Sequence, residues 1–347
     1  MSELKILDSK CVKICKSPNY NFIFDKNNGN FARWGKTKDD DPLKAPGPEI
    51  ADIEISTICH GVKAIGPCKF CYKGNTGKGE NMSLETFKKL FSVFPPTLTQ
   101  IAFGIGDIQG NPDMFPIFEY TREKGIIPNV TINGEGLTDD IAKKLVEVCG
   151  AVAVSHYDRD TCLNAVKKLT DLGLNQVNIH FMLSEETYDA ARNLMVDKKH
   201  DLRLEKLRAI VFLGLKNKGR ANCQSFTTLP QEKFEKIVNF ALTQNIGIGF
   251  DSCSANKFLK VIANFPEYKK YEEMVEPCES GLFSSYFNVK GEFFPCSFME
   301  GEDDWVEGID VLKEGFNFQT DLWESIKVNE WKQKLLNCNR NCPHYKI

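Results

Sequence analysis

The chain has 347 residues, of which 42% are hydrophobic and 26% are charged, and its formal net charge is −3. This composition is that of a globular protein able to bury a sizeable core, and the small net charge indicates neither a nucleic-acid partner nor a membrane-surface partner. No apolar run in the sequence approaches the ~20 residues that span a bilayer, so we expect no membrane partner.

The cysteine content bears on the compartment of the protein, because the chain contains thirteen cysteines. The charged N-terminal stretch lacks the apolar core of a secretory signal peptide. A cysteine-rich chain without such a signal is expected in a reducing compartment, so we expect a cytoplasmic protein. In that setting, clustered cysteines are metal ligands more often than disulfides.

Residues 1–48 predict a hairpin followed by a linker. Tyr20, Phe22 and Phe24 alternate along the chain, an Asn-Asn-Gly-Asn turn follows, and the chain returns over 31–34. The polar, proline-containing stretch after it is typical of an exposed linker. We therefore expect an N-terminal hairpin and linker over 1–48.

From Glu49 onward, strand-like and helical segments alternate. The predicted strands, mostly rich in Val and Ile as buried parallel strands are, are Ile50–Ser56, Gln100–Phe103, Asn129–Ile132, Ala151–Ser155, Gln176–Leu183 and Leu207–Leu213. The predicted helices, several of which open on a Ser, Thr or Asp cap, are Ser83–Phe94, Met114–Lys124, Thr138–Val148, Asp160–Leu172, Ser184–Val196 and Pro230–Thr243.

These six βα units predict an α/β fold in which helices cover a parallel sheet. Because six strands are too few to close an eight-stranded barrel, we predict an open, partial (β/α)6 TIM-like barrel with its ligand loops after the strands. A further short strand, Ile246–Phe250, leads to Cys253, and after about Asn256 the sequence becomes cysteine-rich, aromatic and irregular. We expect the partial barrel to span 49–255 and a small cysteine-rich domain to span 256–347.

Three cysteines follow the first barrel strand, namely Cys59, Cys68 and Cys71, and a glycine-rich loop comes after them. Three clustered thiolates suit an iron–sulfur cluster in which one iron is left open for a substrate or cofactor. Two other interpretations stay open from this pattern alone. One is a structural zinc site with His60 as the fourth ligand, although neighbouring side chains in extended chain point to opposite faces. The other is a thioredoxin-type redox pair, in which Cys59 has no role.

The cysteine trio and the six βα units together resemble the radical S-adenosylmethionine (SAM) superfamily. The usual pattern of that family is C-x-x-x-C-x-Φ-C, where Φ is aromatic, and Cys68-Lys69-Phe70-Cys71 matches its second half. The first gap holds the eight residues 60–67 rather than three. This departure indicates an extended loop.

Further motifs of the resemblance stand at the predicted strand ends. Gly104-Ile105-Gly106-Asp107 occupies the place of the Gly-Gly-Glu-Pro motif, with its Glu and Pro replaced, and 131–134 resembles the Thr-Asn-Gly motif. The segment 152–155 resembles a fourth-strand segment whose Ser contacts the ribose or carboxylate. The segment 214–221, which ends in Lys-Gly-Arg-Ala, resembles a loop after the sixth strand that is common in members with C-terminal cluster domains. The resemblance implies that SAM is bound by Phe70, Gly104, Ile105, Gly106, Asp107, Asn133 and Ser155.

The cysteines of the tail extend the resemblance. Cys278, Gly291 and Cys296 match the C…G-x4-C opening of the SPASM and twitch auxiliary-cluster domains, and a hairpin between the two cysteines would bring them together. Cys338 and Cys342 would complete a four-thiolate site. The full SPASM pattern needs more cysteines than these four, so a single-cluster, twitch-like domain fits better. Four thiolates would also suit zinc.

The remaining cysteines are not assigned to a site. Cys253 is interpreted as a buried small apolar residue in preference to a spare cluster ligand or a substrate-contacting thiol. The cysteines that we predict to be ordinary core or surface thiols are Cys11, Cys15, Cys149, Cys162 and Cys223.

The resemblance implies an enzyme, an oxidoreductase or maturase that cleaves SAM reductively to a 5′-deoxyadenosyl radical, which then takes hydrogen from a substrate. The implied cofactors are SAM, a SAM-binding 4Fe–4S cluster and a second, auxiliary 4Fe–4S cluster. The implied partners are a reductant such as flavodoxin or ferredoxin and a peptide, protein or small-molecule substrate. No catalytic residue is identified from the sequence. A radical SAM enzyme that modifies nucleosides or nucleic acid, and a non-catalytic iron–sulfur electron carrier, stay open as alternatives.

Overall fold

The computed structural model describes residues 4–38, 40, 42–222 and 226–347. Cys223, predicted to be an ordinary thiol, lies outside the described residues. None of the helices within the described ranges is long and apolar enough to cross a membrane.

The N-terminal region is a four-stranded antiparallel sheet rather than a single hairpin. Its strands, each paired with the next along the chain, are β1 (Lys5–Asp8), β2 (Val12–Lys16), β3 (Asn21–Asp25) and β4 (Phe31–Trp34). The predicted hairpin is β3–β4, and its Phe22 and Phe24 are buried together with Cys15 of β2. Strand β1 is short and mostly exposed, and its adjacent apolar residues Ile6 and Leu7 do not alternate with polar ones, so no strand pattern predicts it.

The central unit is a parallel sheet whose strands follow one another in chain order. Its strands are β5 (Ile50–Glu54), β6 (Gln100–Gly104), β7 (Ile127–Ile132), β8 (Ala151–Ser155), β9 (Val177–Leu183), β10 (Ala209–Gly214) and β11 (Ile248–Phe250). The helices between them are α1 (Leu84–Ser92), α2 (Met114–Glu123), α3 (Asp139–Val148), α4 (Arg159–Asp171), α5 (Tyr188–His200) and α6 (Gln231–Thr243). The predicted partial barrel is confirmed.

Helix α5 begins four residues later than its sequence predicts. Ser184, predicted as the cap, instead lies in a turn in which its main-chain N–H donates to Thr187 Oγ1 at 2.8 Å. The Thr187 hydroxyl in turn donates to the carbonyl of Met182, the penultimate residue of β9, at 2.9 Å. These side-chain bonds satisfy the main chain in a turn and so compete with an earlier helical start.

The tail continues the same sheet. Its elements are α7 (Ala255–Ile262), α8 (Tyr268–Glu272), β12 (Ser284–Phe287), β13 (Glu292–Phe294), β14 (Ile309–Asp310) and α9 (Ile326–Asn337). Strand β12 pairs in parallel with β5 and forms the predicted hairpin with β13, so the full order is β11-β10-β9-β8-β7-β6-β5-β12-β13-β14. Helix α7 runs through the boundary predicted near residue 256. The division into 1–48, 49–255 and 256–347 stays a prediction.

Side-chain alternation gives the barrel strands two different faces. Residues such as Ile53, Phe103 and Val130 are buried in the main hydrophobic core beneath the helices. The alternate positions face the interior of the barrel, and several of them are polar. These interior polar residues are Asp52, Glu54, Gln100, Asn129, Thr131, Asn178 and His180.

Candidate metal centre and barrel interior

The three predicted ligands Cys59, Cys68 and Cys71 lie together in the loop between β5 and α1. Cys68 is buried and the other two are partly buried, and a tight turn joins the C-x-x-C pair because the Cys71 N–H donates to the Cys68 carbonyl at 3.3 Å. Burial raises the pKa of Cys68 to about 12, and the neighbouring thiols of Cys71 and Cys59 add to the rise. The loop therefore brings the three thiols close enough for their charges to interact.

The loop after β6 packs directly on the first cysteine. A Cβ atom at Gly106 would lie 2.2 Å from the carbonyl oxygen of Ile58 and 2.6 Å from Cys59 Cβ, so the position has no room for a side chain. The Asp107 N–H donates to the same Ile58 carbonyl at 2.9 Å. By contrast, a Cβ at Gly104 would meet its nearest protein atom, in Glu54, at an ordinary 3.4 Å.

Asp107 also fixes the position of His60, the residue considered above as a zinc ligand. Its carboxylate accepts hydrogen bonds from the His60 main-chain N–H at 3.0 and 3.1 Å and lies 2.6 Å from His60 Nδ1. The His60 side chain is 72% exposed. These contacts orient His60 towards the loop after β6.

Arg220, from the predicted loop after β10, holds the cysteine loop from another side. Its side chain donates to the carbonyls of Cys68 and Asn75, both at 2.9 Å, and its main-chain N–H donates to the Cys71 carbonyl at 2.9 Å. Gly219 has φ +58°, and a Cβ there would lie 2.3 Å from the Tyr72 carbonyl oxygen. The Lys-Gly-Arg-Ala motif thus positions the main chain of the cysteine loop.

The other residues predicted to bind SAM lie at the carboxyl ends of successive strands. Asn133 follows β7 and is buried, with its Oδ1 accepting from the Glu135 N–H at 2.9 Å. Ser155 ends β8 and is also buried. The ring of Phe70 lies 5.4 Å from that of Tyr157 and 5.5 Å from that of Phe226, which forms an aromatic wall. Ile105 packs against the hydrophobic core.

The predicted tail ligands lie around the β12–β13 hairpin and the end of α9. Burial raises the pKa of Cys296 to about 12, and the thiols of Cys278 and Cys342 act in the same direction. Cys338 directly follows α9, and burial raises its pKa, with the Cys342 thiol adding to the rise. Cys253, which the sequence leaves unassigned, lies near enough to Cys278 and Cys296 for both to raise its pKa.

The barrel interior contains ionisable groups that the sequence analysis did not identify. Burial alone raises the pKa of Asp52 from 3.8 to about 7, and no hydrogen bond to its carboxyl is found among the described residues. Burial also lowers the pKa of His180 to about 4, and its Nδ1 is 3.5 Å from Thr131 Oγ1. The sequence feature that could have identified these two residues is that each stands at an alternate position of an otherwise largely apolar strand.

The thiol sets fit iron–sulfur chemistry by their donor type. Each protein-bound iron of a cluster takes its own cysteine thiolate, and the two regions supply three and at least four thiols. Within the residues that the structure describes, no three His, Cys, Asp or Glu side chains converge closely enough to hold a metal ion. Ligands that each bind a different iron need not converge on one point.

Replacing Gly106 by Ala is expected to displace the cysteine loop, because the new methyl group would overlap Ile58 and Cys59. We expect clearly less iron to be retained after anaerobic reconstitution, as measured by iron per chain and by the visible absorbance of the protein. Gly104→Ala is the matched control, since its methyl group has ordinary contact distances. Equal iron contents in the two variants would contradict the role given to Gly106.

Replacing Asp52 by Asn is expected to change how stability depends on pH. The raised pKa means that the folded protein binds the Asp52 proton more tightly than the unfolded chain does. The resulting contribution to the free energy of unfolding is fully present below about pH 4 and is lost as the pH rises to about 7. Between pH 5 and pH 8 the variant should therefore gain up to about 3 kcal/mol relative to the wild type. Urea denaturation measures this difference, with exposed Asp140→Asn as the control, and parallel wild-type and Asp52→Asn profiles would refute the assignment.

Comparisons with known proteins identify similar folds. No protein-family model matches the sequence, and no curated protein matches it. Streptococcus suis SuiB superposes with a TM-score of 0.62 over 92% of this chain and 89% of that chain, at 11% identity. The protein anSMEcpe, solved with bound AdoMet, superposes with a TM-score of 0.58 over 82% of this chain and 79% of that chain, at 14% identity.

Both proteins have also been solved with peptides: SuiB bound to its precursor peptide SuiA, and anSMEcpe bound to AdoMet and the Cp18Cys peptide. At 10–15% identity the likeness establishes the fold. The chain therefore has the fold of SuiB and anSMEcpe, and the partial-barrel fold implied by the predicted resemblance is confirmed.

Proposed function

We propose that the protein is a radical SAM enzyme that cleaves SAM reductively and abstracts hydrogen from a peptide or protein substrate. The observation that carries this proposal is the packing of Gly106 on Cys59. It joins the three-cysteine loop to the strand end where the motifs predict SAM binding. This edge of a parallel barrel is also the one at which such folds bind their ligands.

Cys59, Cys68 and Cys71 would hold the cluster. When bound, a 4Fe–4S cluster supplies the electron that splits SAM into methionine and a 5′-deoxyadenosyl radical. The main chain of 104–107 offers polar groups for the methionine part of SAM, with Asn133 and Ser155 at the next two strand ends. The protein's own task is to orient the cofactor and to exclude water.

The residues around Phe70 are suited to keeping water away from the reaction. Its ring contacts those of Tyr157 and Phe226, and burial raises the pKa of Tyr157, with the Cys68 thiol adding to the rise. The Tyr157 main-chain N–H also donates to the Ser155 carbonyl at 3.1 Å. We assign this aromatic wall to one side of the SAM pocket, where it would limit the access of solvent to a reactive radical.

The barrel interior supports a peptide side chain as the reacting group. Small residues such as Ala102 and Ala153 stand at inward positions of β6 and β8, next to polar residues of the neighbouring strands β5 and β9. His180 is neutral at physiological pH, because burial lowers its pKa to about 4. A neutral imidazole can both donate and accept hydrogen bonds. The peptides bound by SuiB and anSMEcpe support this substrate class.

The tail cysteines support a second, auxiliary 4Fe–4S cluster, and we propose a flavodoxin- or ferredoxin-type reductant in a reducing, cytoplasmic setting. Cluster reduction requires an electron donor that the chain does not itself provide. Hydrogen bonds link the segments that carry these cysteines: the Cys278 N–H donates to the Arg340 carbonyl, and Tyr345 bonds both Cys342 Sγ and the Phe298 carbonyl. A cluster there would accept or relay an electron beside the barrel.

The test of this function is anaerobic reconstitution followed by reduction with dithionite in the presence of SAM. We expect 5′-deoxyadenosine from the wild type and a loss of at least about 100-fold from Cys68→Ala, because that variant lacks a cluster ligand. Cys162→Ala, a buried thiol of α4 far from the cysteine loop in sequence, is the control and should retain the activity. Stoichiometric zinc without iron in anaerobically purified protein would contradict the proposal, and iron without SAM cleavage would favour an electron carrier.

A further inference from the structure

The tail region offers one more cysteine than a four-thiolate cluster requires. Besides Cys278, Cys296, Cys338 and Cys342, the described residues place Cys253 next to the same region, in a short 3-10 turn between β11 and α7. A 4Fe–4S cluster bound by cysteines alone takes four of them. The contacts of the five thiols therefore bear on which four are the ligands.

Two sets of contacts tie the Cys253 turn to the tail cysteines. On one side, Lys216 forms an ion pair with Asp251 and lies over the ring of Phe298 at 4.6 Å, two residues beyond Cys296. On the other side, the Asn256 side-chain amide donates to Asn341 Oδ1, next to Cys342. Cys253 lies in the chain between Asp251 and Asn256, so its turn is held against both regions at once.

The rest of the site is joined by similarly direct contacts. The Cys278 N–H donates to the Arg340 carbonyl at 3.1 Å. The Tyr345 N–H donates to Cys342 Sγ at 3.2 Å, and the Tyr345 hydroxyl donates to the Phe298 carbonyl at 3.3 Å. The segments carrying Cys278, Cys296 and Cys342 are therefore linked to one another, and the Cys253 turn is attached to two of them.

The surroundings of Cys253 and Cys338 differ. Cys253 and Cys338 are both partly buried. The Cys338 Sγ, however, faces two main-chain carbonyl oxygens, Leu335 O at 3.2 Å and Asn341 O at 2.9 Å. A thiol can donate to such oxygens, whereas a metal-binding thiolate has no proton to donate and would be repelled by them.

We infer that Cys253 is the fourth thiolate of the auxiliary cluster, together with Cys278, Cys296 and Cys342, and that Cys338 is a thiol that caps the end of α9. This inference rests on the auxiliary cluster of the proposed function. It replaces the ligand set suggested by the family pattern, in which the closely spaced pair near the C-terminus supplies two ligands.

Lys216 gives this arrangement an electrostatic rationale. Its side chain is only 2% exposed, and its ammonium group lies between Asp251, two residues before Cys253, and the ring of Phe298, two residues after Cys296. Four thiolates bring negative charge to a buried site, and a buried charge is tolerated when an opposite charge lies nearby. Lys216 provides that positive charge on the Cys253 side of the site.

The test compares Cys253→Ala with Cys338→Ala after anaerobic reconstitution. Iron per chain should be about eight in the wild type, corresponding to two 4Fe–4S clusters. It should fall to about four in Cys253→Ala and stay near eight in Cys338→Ala. Circular dichroism and thermal melting establish that both variants are folded, and electron paramagnetic resonance (EPR) of the reduced proteins shows which cluster is lost.

The outcomes separate this inference from the proposed function. Production of 5′-deoxyadenosine is measured on the same samples, and it depends on Cys59, Cys68 and Cys71. Loss of iron from Cys338→Ala, retention of about eight irons in Cys253→Ala, or a wild type with only the SAM-binding cluster would each overturn the inference. Loss of all SAM cleavage in the wild type would instead count against the proposed function.

Discussion

Gly106 allows two segments of main chain to approach more closely than any side chain would permit. The carbonyl of Ile58 accepts from the Asp107 N–H at 2.9 Å, and a Cβ on Gly106 would lie 2.2 Å from the same oxygen. This contact holds the end of β6 directly against the cysteine loop after β5, as one packed unit. The ligands of the candidate cluster and the main chain predicted to bind SAM are thereby placed side by side. Arg220 secures the opposite side of the loop.

A buried polar network connects that unit to the rest of the molecule. Lys73, two residues after Cys71, lies 3.1 Å from Glu54 of β5 and donates to the Tyr286 hydroxyl of β12 at 2.7 Å. It also forms an ion pair with Glu300 of the tail. A buried pair of charges is costly to break because the remaining partner is left without compensation. The network therefore couples the position of the cysteine loop to the docking of the tail against the barrel.

The barrel could be predicted from the sequence because its signals are local. Valine- and isoleucine-rich strands alternate with capped helices, and the cysteine spacing lies within one loop. Strand β1 was not predicted, because its side chains are mostly exposed and so follow no alternation of apolar and polar positions. The neighbourhood of Cys253 and the isolation of Asp52 in the barrel interior could not be predicted, since they depend on segments distant in sequence. Lys73 and Glu300, for example, are 227 residues apart.

In the proposed function, one iron of the cluster held by Cys59, Cys68 and Cys71 is open to SAM. EPR spectroscopy of the dithionite-reduced protein, recorded with and without SAM, tests this claim most directly. A cofactor that binds the metal itself changes the ligand field of that cluster. We therefore predict that SAM alters the signal of one cluster and leaves any signal of the auxiliary cluster unchanged. An iron–sulfur signal that is identical with and without SAM would contradict the account.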